Sequence, residues 1–414
     1  MTTKESQNTV SPATATTAAD TLNRSLSVWN SLTIGFAVVS PVVGLYAIIG
    51  VQTAVTGGGW FAALALCLVM QLMVATVYAE LTSQFPIAGG AYKWARQLGG
   101  GVTGQFAGVI YVCSTIAMLT TTAYTGGVWL AIFFGSADGG GPTLVLWGAV
   151  FLVICTLLNL AHVNVFKLVI TLGVYAEMVG SVGVALLLFL FFRQHSFSEL
   201  FQHLGTGTAP SQTAAFLAAL AIAGWAFIGF DACSTIAEET HEPKRMVPRA
   251  IMLSLCTVGT VVLFNSSALT LGFNHDTLVT TSATSDPITP LISSSFGAWA
   301  EKPFLAIVMV AFLACGSVVV NYTSRIVYSM AREGNMPVAL SRVTASKTPR
   351  NAVLCVVLLA GLGLLFGLND QAVATIIAFG TGGIVRHVRH DHRGRALYSS
   401  DRSLEPGTDR KSVV

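Results

Sequence analysis

The sequence predicts an all-α polytopic membrane protein built from two five-helix halves, and three observations carry that prediction. Its 414 residues are 53% hydrophobic and 10% charged, with a mean hydropathy of +0.69, where a soluble domain carries about a quarter charged residues. The apolar residues gather into runs of about twenty, the length that crosses a hydrocarbon core. Two of these runs, five spans apart, are interrupted by residues that a continuous lipid-facing helix has no use for.

Residues 1–26 are rich in Thr, Ser and Ala and lack a cleavable signal pattern. They read as a disordered cytoplasmic lead, with the first span as an uncleaved insertion signal. Spans follow at 28–50, 60–85, 104–134, 144–161, 167–192, 214–236, 249–273, 304–330 and 352–368, and a tenth begins near Gln371. With the N-terminus inside and the spans alternating, cytoplasmic connections receive Lys93, Arg96, Lys167, Lys244, Arg245, Arg249, Arg325, Arg332, Arg342, Lys347 and Arg350, against Arg193 and Lys302 outside. Eleven basic residues against two is the bias that fixes orientation. The seven cysteines all lie in apolar runs with no CxxC spacing, and read as small core residues rather than disulfides or metal ligands. A net charge of +3 points to no nucleic-acid partner.

Span one contains Ser40, Pro41, Val42, Val43 and Gly44; proline removes a backbone donor and clashes with the preceding turn. Span six contains Gly224, Trp225, Ala226, Phe227, Ile228, Gly229, Phe230 and Asp231. Glycines loosen a helix, and an ionised Asp at membrane depth costs several kcal/mol unless paired or wet. Irregular backbone is tolerated there only where it lines a protein-enclosed cavity. Matching interruptions in two halves predict an inverted repeat with a binding site at mid-membrane. The plainer alternatives are a proline kink in span one and, in span six, a glycine-rich helix contact with a buried, protonated Asp.

The segment from Gly224 to Asp231, followed by Glu238, Glu239 and Thr240 and by the stretch from Pro243 to Ile251, resembles the sixth helix and following loop of the amino acid–polyamine–organocation permeases. So do Tyr78, Ala79, Glu80 and Leu81 with 85–94, and the stretch from Ser324 to Gly334. Together they cover about 26–383, and the details are most similar to the amino acid/choline (GABA-permease-like) branch. The resemblance implies a five-plus-five inverted repeat and alternating access around a central site. It also implies backbone at Val42, Val43 and Gly44 facing a substrate carboxylate, with Trp225, Ala226 and Phe227 as wall and gate. Half-helix N-termini offer N–H groups to an anion. One departure stands out: the family's Gly-Ser/Thr-Gly is Val42, Val43 and Gly44 here, which puts standard α-amino-acid recognition in doubt.

Two acids inside spans are candidates for coupling. The resemblance places Asp231 where family members carry the acid that couples proton and substrate movement; the alternative is a structural acid hydrogen-bonded to helix one. Glu177 lies in span five, away from Lys167 and Arg193. It can bind a proton, a cation or a substrate ammonium, or be a buried acid satisfied by Ser or Thr hydroxyls. Glu80 and Arg325 sit near span ends and read as anchors. Asn321 can hydrogen-bond a substrate or another helix. Glu238 and Glu239 with Lys244 and Arg245 read as a solvated loop or an inner gate.

The tenth span turns abruptly polar at Arg386, so 371–385 gives about 22 Å of helix, short of a core about 30 Å thick. A frameshift or truncation accounts for this better than an evolved tail. Residues 386–414 then form a polar cytoplasmic tail, whose His387, His390 and His392 have only weak metal-ligand spacing. A chain with a shortened tenth helix is expected to transport poorly.

The leading reading is therefore a permease of the plasma membrane, residues 27–385, moving an amino acid, a GABA-like compound or an amine. It is coupled to a proton or another cation and needs no cofactor. The alternatives are a truncated, non-transporting scaffold or sensor and, further off, a membrane enzyme. No Ser/His/Asp or HExxH arrangement supports the enzyme.

Overall fold

The computed structural model of the chain describes residues 28–56, 59–87, 89–201, 211–235, 237, 240–273, 286, 288–344 and 348–368. The described residues are helices and short connections. The first span is three pieces: α1 (Val28–Val39), α2 (Pro41–Tyr46) and α3 (Ile49–Thr56). Span two is α4 (Phe61–Gln84), which ends just before Pro86, where the residue ahead of a proline is pushed out of helical geometry. In α5 (Gly90–Phe133), Gly100 has φ 81° and ψ 179°. That kink separates a short helix from the third span, at a left-handed φ that glycine adopts freely.

The fourth span is α6 (Gly140–Leu160). The fifth is α7 (Val163–Glu177), a π-helical turn over Met178–Gly183, and α8 (Val184–Phe191). The sixth is α9 (Gln212–Ala223), a 3₁₀ turn over Gly224–Phe227, and α10 (Ala232–Thr235). The seventh is α11 (Pro243–Gly272), with Pro243 in its first turn, where its missing N–H costs nothing. A short helix, α12 (Ile288–Phe296), is capped by Asp286 Oδ1, which accepts from the Ile288 and Thr289 amides at 2.9 and 3.0 Å. Then come α13 (Glu301–Arg332) and α14 (Arg350–Leu364).

Eight described helical segments are long and apolar enough to cross a bilayer, and the shorter apolar stretch Thr33–Tyr46 lies within the first span. The first nine spans expected from the sequence each fall on one of these helices. The tenth, and the tail after it, lie outside the described residues.

Burial follows the same division. Every residue of α2 and of the 3₁₀ turn is buried, whereas α4, α6 and α14 turn large apolar side chains such as Met73, Leu157 and Leu358 outward, as lipid-facing helices do. Helices cross closely at small residues: a Cβ on Gly127 of α5 would collide with the backbone of Gly148 on α6. The α1 segment packs against both α11 and α13, and α2 touches the 3₁₀ turn of span six. The two interruptions thus meet in the interior of the bundle.

Candidate functional site

Helix one breaks at Ser40 rather than at Pro41. Ser40 has φ 43° and ψ 101°, and Pro41 is the first residue of α2, not a kink inside a helix. The Ser40 hydroxyl accepts from the Val43 amide at 3.1 Å, and the Ser40 carbonyl accepts from the Gly44 amide at 2.7 Å. A second interruption follows at Ala47 and Ile48. Glu177, 2% exposed, reaches this break from span five. Its Oε1 accepts from the Ser40 hydroxyl and its Oε2 from the Val42 amide, the latter at 2.9 Å.

The amides of Val42, Val43 and Gly44 are bonded to Glu177, to the Ser40 hydroxyl and to the Ser40 carbonyl, respectively, so the carboxylate at the Val42 amide in this structure is the chain's own. The π turn after Glu177 belongs to the same arrangement. A π turn lets a backbone carbonyl leave the regular ladder, and the Gly180 carbonyl accepts from the Tyr46 hydroxyl of α2 at 2.9 Å.

Helix six breaks over Gly224–Phe227, after which Ile228 is extended (φ −76°, ψ 144°) and Gly229 has φ 100°, a conformation that L side chains rarely adopt. A Cβ on Gly44 would lie 3.0 Å from the Ala226 carbonyl oxygen and 3.2 Å from its Cα. The two breaks therefore touch backbone to backbone, and a side chain at position 44 would require the Ala226 backbone to give way. Trp225 and Phe227 are buried, not lipid-facing.

Asp231, just past this break, is 2% exposed. Its Oδ2 accepts from the hydroxyl of Tyr111 on α5 and, at 2.8 Å, from that of Tyr322 on α13. The two hydroxyls also bond each other, and their rings meet edge to face at 6.2 Å. The alternative that tied Asp231 to helix one is thus corrected: its partners sit on spans three and eight. Sequence reasoning missed both tyrosines. The available signal was a phenol inside an apolar run, because a buried Tyr hydroxyl seeks a partner.

Among the described residues no Lys or Arg forms an ion pair with Glu177 or Asp231; the salt bridges join the N-terminal end of α5 to the residue that follows α13. There Glu333 meets Lys93 at 2.9 Å and also pairs with Arg96. It accepts from Tyr92 at 2.6 Å, and Asn335 bonds the same Tyr92 hydroxyl. Partial burial pushes the Glu333 carboxyl up, but the Tyr92 hydroxyl, Lys93 and Arg96 outweigh it and hold the group below its ordinary range. The acid–base cluster expected at Glu238 and Glu239 falls outside the described residues. Arg325 donates to the Asn321 amide oxygen at 3.0 Å, so these two partner each other. No cluster of three or more His, Cys, Asp or Glu suited to a metal occurs among the described residues.

Broken first and sixth spans packed against each other are the architecture of secondary transporters, and solved structures agree on the fold. The inward-facing conformation of Mhp1 matches with a TM-score of 0.55 at 14% identity, over 86% of this chain and 76% of that one. A substrate-bound, outward-open Na⁺-coupled sialic acid symporter matches with a TM-score of 0.56 at 14% identity, over 90% and 81%. The chain belongs to the amino acid permease family, whose model matches residues 26–385. Among curated relatives, the amino-acid permease BAT1 of Arabidopsis thaliana is 24% identical over 86% of this chain and 74% of its own length. The glutamate/serine transporter AimA of Bacillus subtilis (strain 168) is 26% identical over 77% of this chain, which spans only 62% of AimA. The low-affinity putrescine importer PlaP of Escherichia coli (strain K12) is 24% identical over 89% and 80%. Membership makes the chain a multi-pass membrane transport protein rather than an enzyme.

Proposed function

We propose that this chain is a permease moving an amino acid or related amine across the plasma membrane by alternating access, driven by a proton or another cation. The observation that carries the proposal is the backbone contact between the break at Ser40 and the break at Gly224–Phe227, in a chain whose family model covers residues 26–385. Breaks that touch can rock apart on either side of the membrane around the same residues. In this reading Ser40, Pro41, Val42, Val43 and Gly44 form one wall of the substrate site. Gly224, Trp225, Ala226, Phe227 and Gly229 form the other, with the Trp225 ring suited to a cationic amine. Coupling depends on Asp231 or Glu177. Residues 27–385 are the transport unit, 1–26 a cytoplasmic lead and 386–414 a cytoplasmic tail. The relatives named above differ in what they carry, so their names do not choose a substrate for this chain.

The test is uptake into proteoliposomes holding the purified chain, with a pH gradient or a sodium gradient imposed separately. Accumulation of a radiolabelled amino acid or amine that collapses with one gradient supports the reading. Equilibration without accumulation under either gradient removes coupling from it, and no uptake of any compound removes transport.

A further inference from the structure

Glu177 has more oxygen capacity than its two partners use. An ionised carboxylate offers about four lone-pair positions, and among the described residues only the Ser40 hydroxyl and the Val42 amide occupy any of them. No Lys or Arg pairs with it among the described residues. A buried acid in that situation calls for a proton or a cation from outside the fold.

Two further polar groups nearby are left over in the same way. The Ser181 hydroxyl, on the same face of helix five four residues after Glu177, is buried with no hydrogen-bond partner. The Asn265 side-chain oxygen on α11 is buried and equally unpartnered. Tyr46 links the two elements that carry them: its hydroxyl donates to the carbonyl of Gly180, the residue before Ser181, and receives the Asn265 amide at 3.5 Å. The π turn that carries Gly180 and Ser181 also packs against α11. Unpaired buried polar groups cost about 1–3 kcal/mol each, and native structures carry few of them without a reason.

We propose that the oxygens of Glu177, Ser181 and Asn265 form a binding site for the ammonium group of an amine substrate. Glu177, by taking the Val42 amide for itself, turns away substrates that bring their own carboxylate to the break in helix one. Three acceptors match the three N–H donors of a primary ammonium, whereas hard metal cations gather six or more oxygens. Tyr46, whose ring centroid lies 6.2 Å from Trp129 and 6.1 Å from Phe304, adds an aromatic surface of the kind that accommodates a cation. The inference rests on the transport reading above and narrows its substrate class.

The experiment uses the full chain in lipid vesicles and compounds matched except for the carboxylate: putrescine against L-ornithine, and ethylamine against L-alanine. Binding is read as thermal stabilisation and as competition for uptake. The wild-type chain should bind each amine at least about tenfold more tightly than its carboxylate-bearing partner, the loss expected when a charged hydrogen-bonding site is denied its match. Ser181→Ala removes a hydroxyl that bonds nothing among the described residues. It should leave unliganded stability intact while weakening putrescine severalfold, whereas a merely structural serine would show the reverse. Glu177→Gln, which keeps the volume but not the charge, should weaken putrescine about tenfold or more. Glu177→Ala, which frees the Val42 amide, should shift the preference toward L-ornithine.

Equal binding of putrescine and L-ornithine by the wild-type chain overturns the inference, as does an unchanged amine preference in Glu177→Gln. A sodium chloride arm separates the two sources of positive charge. If sodium alone stabilises the chain through Glu177 and putrescine does not, the site holds a metal cation and the ammonium assignment is wrong. If L-ornithine is taken up and putrescine is not, transport stands and this site falls. If none of the four compounds binds, this site falls, and the transport reading is decided by the gradient experiment above.

Discussion

Glu177 and Asp231 are both buried carboxylates inside membrane spans, neither paired with a Lys or Arg among the described residues, yet they are held by different kinds of partner. Asp231 is gripped by two phenols, Tyr111 and Tyr322, from two other spans. Its surroundings are side chains on long helices that pack along their length. Glu177 is held by a hydroxyl and a backbone amide of the helix-one break itself. Any rotation of α2 breaks the second arrangement at once, while the first survives until span three, six or eight shifts. The difference teaches which acid reports on what: Glu177 on the local shape of the helix-one break, Asp231 on the alignment of the bundle around it.

The sharpest way to break that comparison is to neutralise each acid separately and follow uptake against pH. Asp231→Asn keeps an oxygen for one tyrosine but cannot exchange a proton, so coupled accumulation should fall by about tenfold or more, the scale of a missing charged hydrogen-bonding group. The residual uptake should lose its pH dependence. Glu177→Gln should change which compounds compete more than it changes the pH profile. If Glu177→Gln flattens the pH profile and Asp231→Asn leaves it intact, the two roles are exchanged.

Backbone substitutions probe the breaks without touching either charge. At Gly229 a side chain would have to adopt φ 100°, so Gly229→Ala should cost about 1–3 kcal/mol and lower the melting temperature in detergent. Gly44→Ala meets the Ala226 backbone at 3.0 Å. It should impair transport through the lost approach of the two breaks even if the chain still folds. Wild-type uptake in both variants would mean that the contact between breaks is packing and not mechanism.

A somewhat smaller effect is expected from the phenols. Tyr111→Phe and Tyr322→Phe each remove one donor from Asp231, at about 1–3 kcal/mol apiece in a buried setting. Because the hydroxyls also bond each other, the double variant should be non-additive in a cycle of melting measurements. Strict additivity would show that Asp231 is not shared between spans three and eight.

Much of this fold is legible in the sequence, because membrane spans announce themselves by length and composition, and interruptions by Pro, Gly and a stranded Asp. The breaks near Ser40 and over Gly224–Phe227 follow from such residues. What could not be read was which distant side chain answers each polar group. Nothing local ties Glu177 to Ser40 across 137 positions, or Asp231 to Tyr111 across 120; those pairings are set by helix packing. The same limit hid Glu333. Acids and bases adjacent in sequence, such as Glu238 and Glu239 with Lys244 and Arg245, are easily read as a cluster, but nothing local joins Lys93 and Arg96 to an acid 240 and 237 positions away, respectively.

Glu333 is the control for the two membrane acids, since it is a carboxylate with its cations present. Its neighbours hold it below the ordinary carboxyl range, so the folded state favours the ionised form. The stabilisation is complete above the ordinary glutamate value of about 4.3 and is lost only as pH falls below it. The pairs are partly exposed, with the Glu333 side chain 23% accessible and that of Arg96 41%, so each contributes about 1 kcal/mol or less and is weakened by salt. Glu333→Gln should therefore lower the melting temperature slightly at neutral pH and low salt, and the difference from wild type should vanish in acid or at high salt. Across pH 5 to 8 it should leave the pH profile of uptake unchanged, whereas Asp231→Asn alters it. A Glu333→Gln variant that flattened that profile would move the pH-sensing group out of the membrane and undo the contrast between Glu177 and Asp231.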